Sequence, residues 1–202
     1  MHNVFFYQDE NGNEPVWRYL HTLFRLKIPK VQDNLASIRE EMRMLQMYGD
    51  NACGRRINSN IRKLYPCTGR TIYLTKMPSG FVLLYGFNKG YIAAKDTRAA
   101  EAAVERLKLG DGFGSKWDEF DKAYYTPEEI AVTNLRASLR GEIKRAREGH
   151  GFNYRELRRL SGVDEDAIVR LEKGSTSLPI GEAQKVLSIL GIGLIAAPFE
   201  ED

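Results

Sequence analysis

Leu109-Gly110-Asp111-Gly112-Phe113-Gly114-Ser115 is the stretch that divides this chain of 202 residues into two parts. Three glycines in five residues disfavour both helix and strand, because glycine loses more backbone entropy on ordering than any other residue. Such a composition is typical of a joint between folding units. We therefore expect a first domain at residues 1–108, a linker with a short helix at 109–125 and a second domain at 126–202.

The net charge changes sign across this stretch. Residues 1–115 contain 17 Lys and Arg against 11 Asp and Glu, whereas residues 116–202 contain 13 against 16. The first part therefore carries about +6 and the second about −3, which sum to the net charge of +3. Opposite charges on the two parts favour docking of one on the other.

Composition limits the class of protein. Hydrophobic residues make up 43% and charged residues 28% of the chain, which is ordinary for a globular protein. No apolar run approaches the ~18 residues that span a bilayer, and the first residues lack the basic flank of a signal peptide. Two cysteines and three histidines indicate neither a disulfide framework nor a zinc site. We expect a cytoplasmic protein with no metal, no cofactor and no membrane partner.

Residues 1–108 alternate between short β-branched or aromatic runs and helical patterns. The order predicts an α+β domain in which helices cover one face of a small, mainly antiparallel sheet and leave a basic face open. Predicted strands lie at 4–7, 60–66, 69–76 and 80–87, and predicted helices at 14–24, 29–48 and 98–108.

Three segments of this domain resemble the phage-derived Gp49-like, HigB-type toxins of the RelE superfamily. The segments are Phe5-Phe6-Tyr7 to Gly12 with Pro15-Val16, then Lys63-Leu64-Tyr65-Pro66 with Gly69-Arg70, and Leu83 to Lys89. Members of this family are mRNA interferases that cut codons on the ribosome without a metal. The resemblance implies phosphate neutralisation by cations and proton transfer by nearby groups. It assigns catalysis to Arg70, Tyr65, Tyr85, Lys89 and Lys95, and RNA binding to Arg62 and Lys63.

The chain departs from the family pattern at several of these positions. Tyr65 stands where the family has an arginine, Tyr85 where it has a histidine, and Gly90 where it has the second of two lysines. A phenol with a pKa near 10 is a poor acid or base at neutral pH unless cations lower that value. The site is therefore either an attenuated nuclease or an ordinary sheet surface.

Residues 117–148 indicate two helices. Trp117, Phe120 and Tyr124 lie on one side of the first, and three large aromatics need a surface to bury against, so we expect them to dock on the first domain. Thr126, Pro127 and Glu129 form the start of the second as a capping box. Its predicted apolar line is Ile130, Leu135, Leu139, Ile143 and Ala146.

Residues 153–190 give the pattern of a helix-turn-helix. Predicted helices lie at 153–160, 164–173 and 181–190, followed by a strand at 193–196. The predicted core is Leu157, Leu160, Val163, Ile168 and Leu171. Residues 136–195 resemble the Cro/C1-type (XRE) helix-turn-helix domain, which is the fold of HigA-type antitoxins.

The resemblance implies that the second helix of the motif enters the major groove of DNA. It assigns DNA binding to Tyr154, Arg155, Arg158, Arg159, Asp164, Glu165, Arg170 and Lys173. Arginine and lysine would hold phosphates, and Glu165 would accept from cytosine N4. The alternative is that Asp164, Glu165 and Asp166 complement the helix dipole on a domain that now contacts protein.

The two resemblances together predict a toxin-antitoxin fusion on one chain. The first hypothesis is an attenuated interferase that its fused antitoxin restrains by intramolecular docking, with autoregulation through operator DNA and possible homodimerisation. Its partners would be mRNA on the ribosome and an operator. The alternative is a non-enzymatic regulator that binds DNA or protein and has a degenerate toxin domain.

Overall fold

The computed structural model describes residues 1–51, 55–64, 70–88, 93–174 and 178–193. The chain forms two compact units, Met1–Asn134 and Leu135–Asp202. The division falls inside a long helix and not within residues 109–125, where we expected it.

The N-terminal unit is an α+β fold, as predicted. Its described strands form one sheet in the order β2-β3-β4-β5-β1-β6, antiparallel throughout except for the parallel pair β1–β5. The strands are β1 (Val4–Tyr7), β2 (Arg55–Arg56), β3 (Arg62–Leu64), β4 (Arg70–Met77), β5 (Gly80–Asn88) and β6 (Phe113–Lys116). The helices are α1 (Pro15–Arg25), α2 (Pro29–Tyr48), followed by a 3-10 turn Gly49–Asn51, then α3 (Ala93–Lys108) and α4 (Trp117–Tyr124).

Helices pack on both faces of this sheet. Residues of α1, α2 and α4 share one hydrophobic cluster with Ile72 and Leu74 of β4. Residues of α3 share a second cluster with Tyr73 of β4 and Leu84 of β5. Because side chains alternate along a strand, the two clusters lie on opposite faces. The prediction of a single covered face with an open basic face opposite was therefore wrong, since α3 folds back onto the second face.

The glycine-rich stretch is a packed part of the N-terminal unit. Its last residues form β6, which pairs with β1, so the prediction that this stretch holds no strand was wrong. Gly112 has φ +95°, and a Cβ there would lie 2.9 Å from the ring of Tyr7. A Cβ on Gly114 would lie 2.2 Å from a carboxylate oxygen of Glu14. These glycines permit close approach of neighbouring groups, which is the other common use of glycine in a strand.

The C-terminal unit is helical in its described part. Its elements are the second half of α5 (Pro127–Gly149), then α6 (Tyr154–Ser161), α7 (Glu165–Glu172) and α8 (Ile180–Ile189). The core contains Ile143, Leu157, Val163, Ile168 and Leu187 among others. Residues 194–196 of the predicted terminal strand lie outside the described residues.

Two residues assigned to apolar helix faces are solvent-exposed. Leu160 is 45% exposed on α6 and Leu135 is 54% exposed on α5. α6 has eight residues, which is about two turns, and it meets the core along one narrow face. Leu157 is the residue of α6 that is fully buried on that face. The capping box predicted at the start of α5 is confirmed: the Thr126 amide donates to Glu129, and the Glu129 amide donates to the Thr126 hydroxyl.

Candidate nucleic-acid interface

The helix-turn-helix is built by α6 and α7 around a three-residue turn. Asn153 and Glu156 cap the start of α6 reciprocally, at 2.9 and 2.8 Å. Gly162 ends the helix at φ +69°, a left-handed conformation that only glycine adopts without strain. Val163 then turns inward and is 3% exposed, so it anchors the turn in the core. The geometry of the turn is therefore set by local sequence and one buried residue.

Three arginines lie on the exposed side of α6. Arg155, Arg158 and Arg159 have the spacing i, i+3 and i+4, which places them on one helix face. All three are exposed, and none of their side chains forms an ion pair or hydrogen bond within the part of the chain that the structure describes. Arg170 and Lys173, on and just after α7, are exposed in the same way. This surface offers guanidinium groups to a polyanion without first breaking an internal contact.

The acidic residues of the motif lie at the start of α7. Asp164 is the N-cap, and its carboxylate accepts from the amide of Asp166 at 3.3 Å. Glu165 follows in the first turn and is half-buried. Carboxylates at this end of a helix are stabilised by the helix dipole. Asp164 therefore has a structural role as a cap.

Tyr154 belongs to an internal network of the C-terminal unit. Its hydroxyl donates to Glu172 at 3.1 Å, and Glu172 also receives both Nε and Nη2 of Arg147, at 2.7 and 3.0 Å. The Arg147 guanidinium lies 4.7 Å from the centre of the Tyr154 ring. Burial, followed by the charge of Glu172, raises the pKa of Tyr154. The sequence assigned Tyr154 to DNA, whereas the structure uses its hydroxyl to hold α6 against α7.

The described residues predicted to form the toxin site are split between the two faces of the N-terminal sheet. Arg70 shares the face of Ile72, and its Nη1 lies 3.3 Å from the hydroxyl of Tyr19 on α1. Tyr85 pairs with Tyr73, which faces α3. Arg70 and Tyr85 therefore point to opposite faces, and the structure does not bring them together.

The two predicted RNA-binding residues are divided in the same way. Arg62 is opposite Leu74 and forms an ion pair of 2.8 Å with Asp50. Lys63 is opposite Tyr73 on the other face, with its Nζ 5.9 Å from the ring centre. Tyr65 and Lys89 lie outside the described residues, as does the side chain of Lys95, so their relation to Arg70 stays a prediction.

Tyr85 has surroundings that disfavour ionisation of its phenol. Burial raises its pKa first, and the neighbouring Tyr7 and Asp9 raise it further. The charge of Arg106 acts in the other direction but is outweighed, and its guanidinium is held by Asp111 at 3.1 Å and by the hydroxyl of Tyr7 at 3.3 Å. A phenol acts as a base at neutral pH only when nearby cations lower its pKa, and the pKa of Tyr85 is raised instead.

Tyr19 was missed by sequence analysis. Its hydroxyl contacts both Arg70 and Asn88, the latter at 3.2 Å. Its ring lies against Gly86, where a Cβ would come within 2.6 Å of Tyr19 Cδ1. A glycine inside a strand is a signal for close approach by another group, and that signal was available in the sequence. Tyr19 and Arg70 place a phenol beside a cation at the start of β4.

The three aromatic residues of α4 pack within the N-terminal unit. Trp117 is 1% and Phe120 0% exposed, and both lie in the cluster formed with α1, α2 and the sheet. Tyr124 packs at the edge of that cluster, with its ring 5.0 Å from that of Phe24. An open groove of about 360 Å³ lies beside them, with Trp17, Arg18 and His21 in its wall. The described residues that we predicted as catalytic do not line it.

Within the described ranges, the helices are too short or too polar to span a bilayer. The same ranges hold no group of three or more histidine, cysteine, aspartate or glutamate side chains arranged to bind a metal ion.

The helix-turn-helix geometry agrees with comparisons with known proteins. Residues 143–195 match the family Helix-turn-helix. A Haemophilus influenzae protein (strain ATCC 51907 / DSM 11121 / KW20 / Rd) named Uncharacterized HTH-type transcriptional regulator is 38% identical over 86 residues, which are 43% of this chain and 88% of that protein. A solved structure titled Toxin-Antitoxin module from Streptococcus pneumoniae shares 32% identity over 43% of this chain and 96% of that one, with a TM-score of 0.39. Through its helix-turn-helix domain, the chain belongs to the family of HTH-type transcriptional regulators.

Proposed function

We propose that this protein is a transcriptional regulator that binds operator DNA through α6 and α7. The observation that carries the proposal is the exposed face of Arg155, Arg158 and Arg159, which is free of described internal partners. Contacts between arginine and phosphate release counterions from DNA and supply much of the affinity of such proteins. Arg170 and Lys173 add two further cations at α7.

Base recognition would come from the start of α7. In a helix-turn-helix the N-terminal residues of the second helix reach the base edges. Glu165 stands there, and a carboxylate accepts from the amino group of cytosine. Asp164 caps the helix directly before it. We therefore propose that the operator has a cytosine at the position that Glu165 reaches.

The N-terminal unit is, in this proposal, a degenerate toxin fold without nuclease activity. What supports this is that Arg70 and Tyr85 lie on opposite faces of the sheet, that α3 covers one of those faces, and that the pKa of Tyr85 is raised. Proton transfer and phosphate neutralisation must act on the same phosphodiester. The packing of α4 in this unit supports intramolecular docking of residues beyond the glycine-rich stretch. We place the protein in the cytoplasm, where a regulator of this kind meets DNA.

A second candidate is the attenuated mRNA interferase of a fused toxin-antitoxin pair. The observation that favours it is the contact of Tyr19 with Arg70, which puts a proton-carrying hydroxyl 3.3 Å from a cation. In this case mRNA on the ribosome would be the substrate, and the rest of the chain would restrain the activity.

DNA binding is tested with the full chain and a fluorescent duplex taken from the DNA upstream of its own coding sequence. Arg155→Gln with Arg158→Gln removes two exposed cations from α6. The expected result is binding weakened roughly tenfold or more, with the salt dependence of log K reduced by about 2. The matched control is Lys144→Gln with Lys185→Gln, which removes two exposed cations elsewhere in the C-terminal unit. Equal effects of both pairs would refute a specific role for α6.

Footprinting the same DNA tests the oligomeric state. A homodimer would protect two half-sites separated by about one helical turn, whereas a single protected half-site indicates a monomer.

The interferase candidate is tested by expressing residues 1–134, which retain every element that forms the two hydrophobic clusters of the N-terminal unit. Circular dichroism first checks that the fragment is folded. A folded fragment that leaves growth unchanged supports the regulator. Slowed growth that is abolished by Arg70→Ala, and reduced by Tyr19→Phe, would instead establish the interferase.

A further inference from the structure

The edge of the N-terminal sheet is a ribbon of four cations. β2 and β3 pair so that Arg55 is directly opposite Lys63 and Arg56 directly opposite Arg62. We call these four residues the basic edge. Like charges directly opposite each other on neighbouring strands destabilise a sheet. Two such pairs in succession lower the stability of the folded sheet, and a bound anion would offset that repulsion.

Part of the positive charge of this edge is neutralised within the protein. Arg62 pairs with Asp50 at 2.8 Å, and the same carboxylate also receives Lys76 of β4. Lys76, followed by Arg62 and Arg56, lowers the pKa of Asp50, so this carboxylate is firmly ionised. One carboxylate therefore serves several cations.

Arg55 and Arg56 remain available to a partner. Both are exposed, and within the described ranges neither side chain forms an ion pair or hydrogen bond. They belong to the outermost strand of the sheet. Neighbouring residues of a strand point to opposite sides, so Arg55 lies on the face of Lys63 and Arg56 on that of Arg62. The edge is basic on both faces, which suits a polyanion that runs along it.

We propose that the basic edge is a second surface for duplex DNA, which contacts the phosphate backbone and adds to the affinity of the helix-turn-helix. This inference rests on the proposed function, because it assumes that the chain binds DNA. Guanidinium groups bind phosphate bidentately, and a set of them without base-reading side chains fits a backbone contact.

Duplex DNA fits this surface better than a single strand does. Proteins that bind single strands stack the bases on exposed aromatic side chains. The aromatic residue beside Lys63 is Tyr73, which is 1% exposed and cannot stack on a base. The ring of Tyr73 packs edge to face on that of Phe87, with 4.9 Å between the ring centres, within the second hydrophobic cluster. The described edge therefore offers charge without a stacking platform.

The test uses the full chain, a fluorescent duplex of about 30 base pairs from the upstream DNA, and salt concentrations of about 50 to 200 mM. The variant is Arg55→Gln with Arg56→Gln. The matched control is Lys30→Gln with Lys122→Gln, two exposed lysines of the same unit that lie outside the basic edge. We expect the edge variant to weaken binding roughly tenfold and to lower the salt slope by about 2, with little effect from the control. Thermal unfolding of the edge variant should be unchanged or slightly improved, because a like-charge contact is lost.

The outcomes separate this inference from the proposed function. Equal binding by the edge variant and its control overturns the second surface, while a loss with Arg155→Gln and Arg158→Gln still supports the helix-turn-helix. If the edge variant loses affinity and the α6 variant does not, the second surface is supported and the proposed role of α6 is refuted. A single-stranded RNA of the same length serves as the other probe. Weakened RNA binding with unchanged duplex binding would overturn the assignment to DNA.

Discussion

The two units of this protein each pair arginine with a buried carboxylate, and they do so differently. In the N-terminal unit Asp121 of α4 receives Nε of Arg39 at 2.8 Å and lies 3.8 Å from Arg43, both on α2. In the C-terminal unit Glu172 receives Arg147 through two bonds of 2.7 and 3.0 Å. The first pair joins residues 82 apart in sequence, and the second joins residues 25 apart.

The pairs also differ in how completely their polar atoms are satisfied. Nη2 of Arg39 and Nε of Arg43 are buried without a described hydrogen-bond partner, although Arg39 also lies 3.5 Å over the ring of Tyr125. Arg147 uses Nε and both terminal nitrogens, the third contact being the Phe152 carbonyl at 3.2 Å. A buried charge that loses its partner costs more than the pair contributes. Asp121 of α4 is the counter-charge of the buried Arg39 and Arg43, so removing α4 would leave both guanidinium groups without it. α4 is therefore a structural part of the N-terminal unit and not a detachable linker.

The largest effect is expected from Trp117→Ala. It empties the centre of the cluster between α4 and the sheet, so we expect the free energy of unfolding of the N-terminal unit to fall by about 4 kcal/mol. Trp17 is the other tryptophan of the chain, so its fluorescence in a urea titration reports this unit alone. Lys122→Ala, at an exposed position of the same helix, is the control. A change below about 1 kcal/mol for Trp117→Ala would mean that α4 is dispensable, and the comparison would fail.

Asp121→Ala should follow closely. It leaves Arg39 and Arg43 buried without their shared counter-charge, which costs about 3 kcal/mol. Asp118→Ala is the control, because its side chain is 51% exposed and lies 3.6 Å from Arg43, the range of an ordinary surface pair. The same fluorescence titration measures both variants. If they are equally stable, the buried pair does not fix α4.

Glu172→Gln should have a smaller effect in the C-terminal unit. The amide keeps one acceptor for Arg147 and Tyr154 but removes the charge, and we expect a loss of about 1 to 2 kcal/mol. Far-UV circular dichroism reports the helices of both units during urea unfolding, so the transition of the C-terminal unit is the part that the tryptophan fluorescence of the N-terminal unit does not follow. Glu182→Gln on the exposed surface of α8 is the control. A loss larger than that of Asp121→Ala would reverse the order of the two pairs.

The smallest effect is expected from Tyr125→Phe, and it depends on pH. Burial raises the pKa of Tyr125 from 10.0 to about 12. Between these values the folded unit holds a proton that the unfolded chain has lost, so stability is fully present below pH 10 and falls as pH rises toward 12. The variant should lose that part of the alkaline decline. Because the Tyr125 hydroxyl is buried without a described partner, stability at neutral pH should not fall. Parallel pH profiles for the two proteins would contradict this assignment.

Local sequence signals predicted most of the described elements but neither of the short strands. Helix starts such as Pro15, Pro29 and Thr126 and the capping pair Asn153 and Glu156 act within a few residues, so they can be read directly. β2 has two residues and β6 contains glycine, so neither shows the β-branched pattern of a strand. Both exist because a neighbouring strand offers hydrogen bonds.

The candidate sites differ in the same respect. The arginine face of α6 follows from helical spacing alone, which depends on neither register nor neighbours. The predicted toxin site depends on which face each strand residue takes. Arg70 and Tyr85 belong to different strands, and their separation follows from the pairing of Tyr85 with Tyr73. A shift of one residue in that register would have put them on the same face.

By itself, the sequence determined the helix-turn-helix and the burial of the aromatic side of α4, because spacing, capping and hydrophobicity act over short distances. Tertiary structure alone decided that the end of the glycine-rich stretch forms an edge strand of the N-terminal sheet, that α3 covers the second face of that sheet, and that Asp121 pairs with Arg39. These features join residues far apart in the chain, and their geometry depends on strand register and packing. No local pattern encodes either of those.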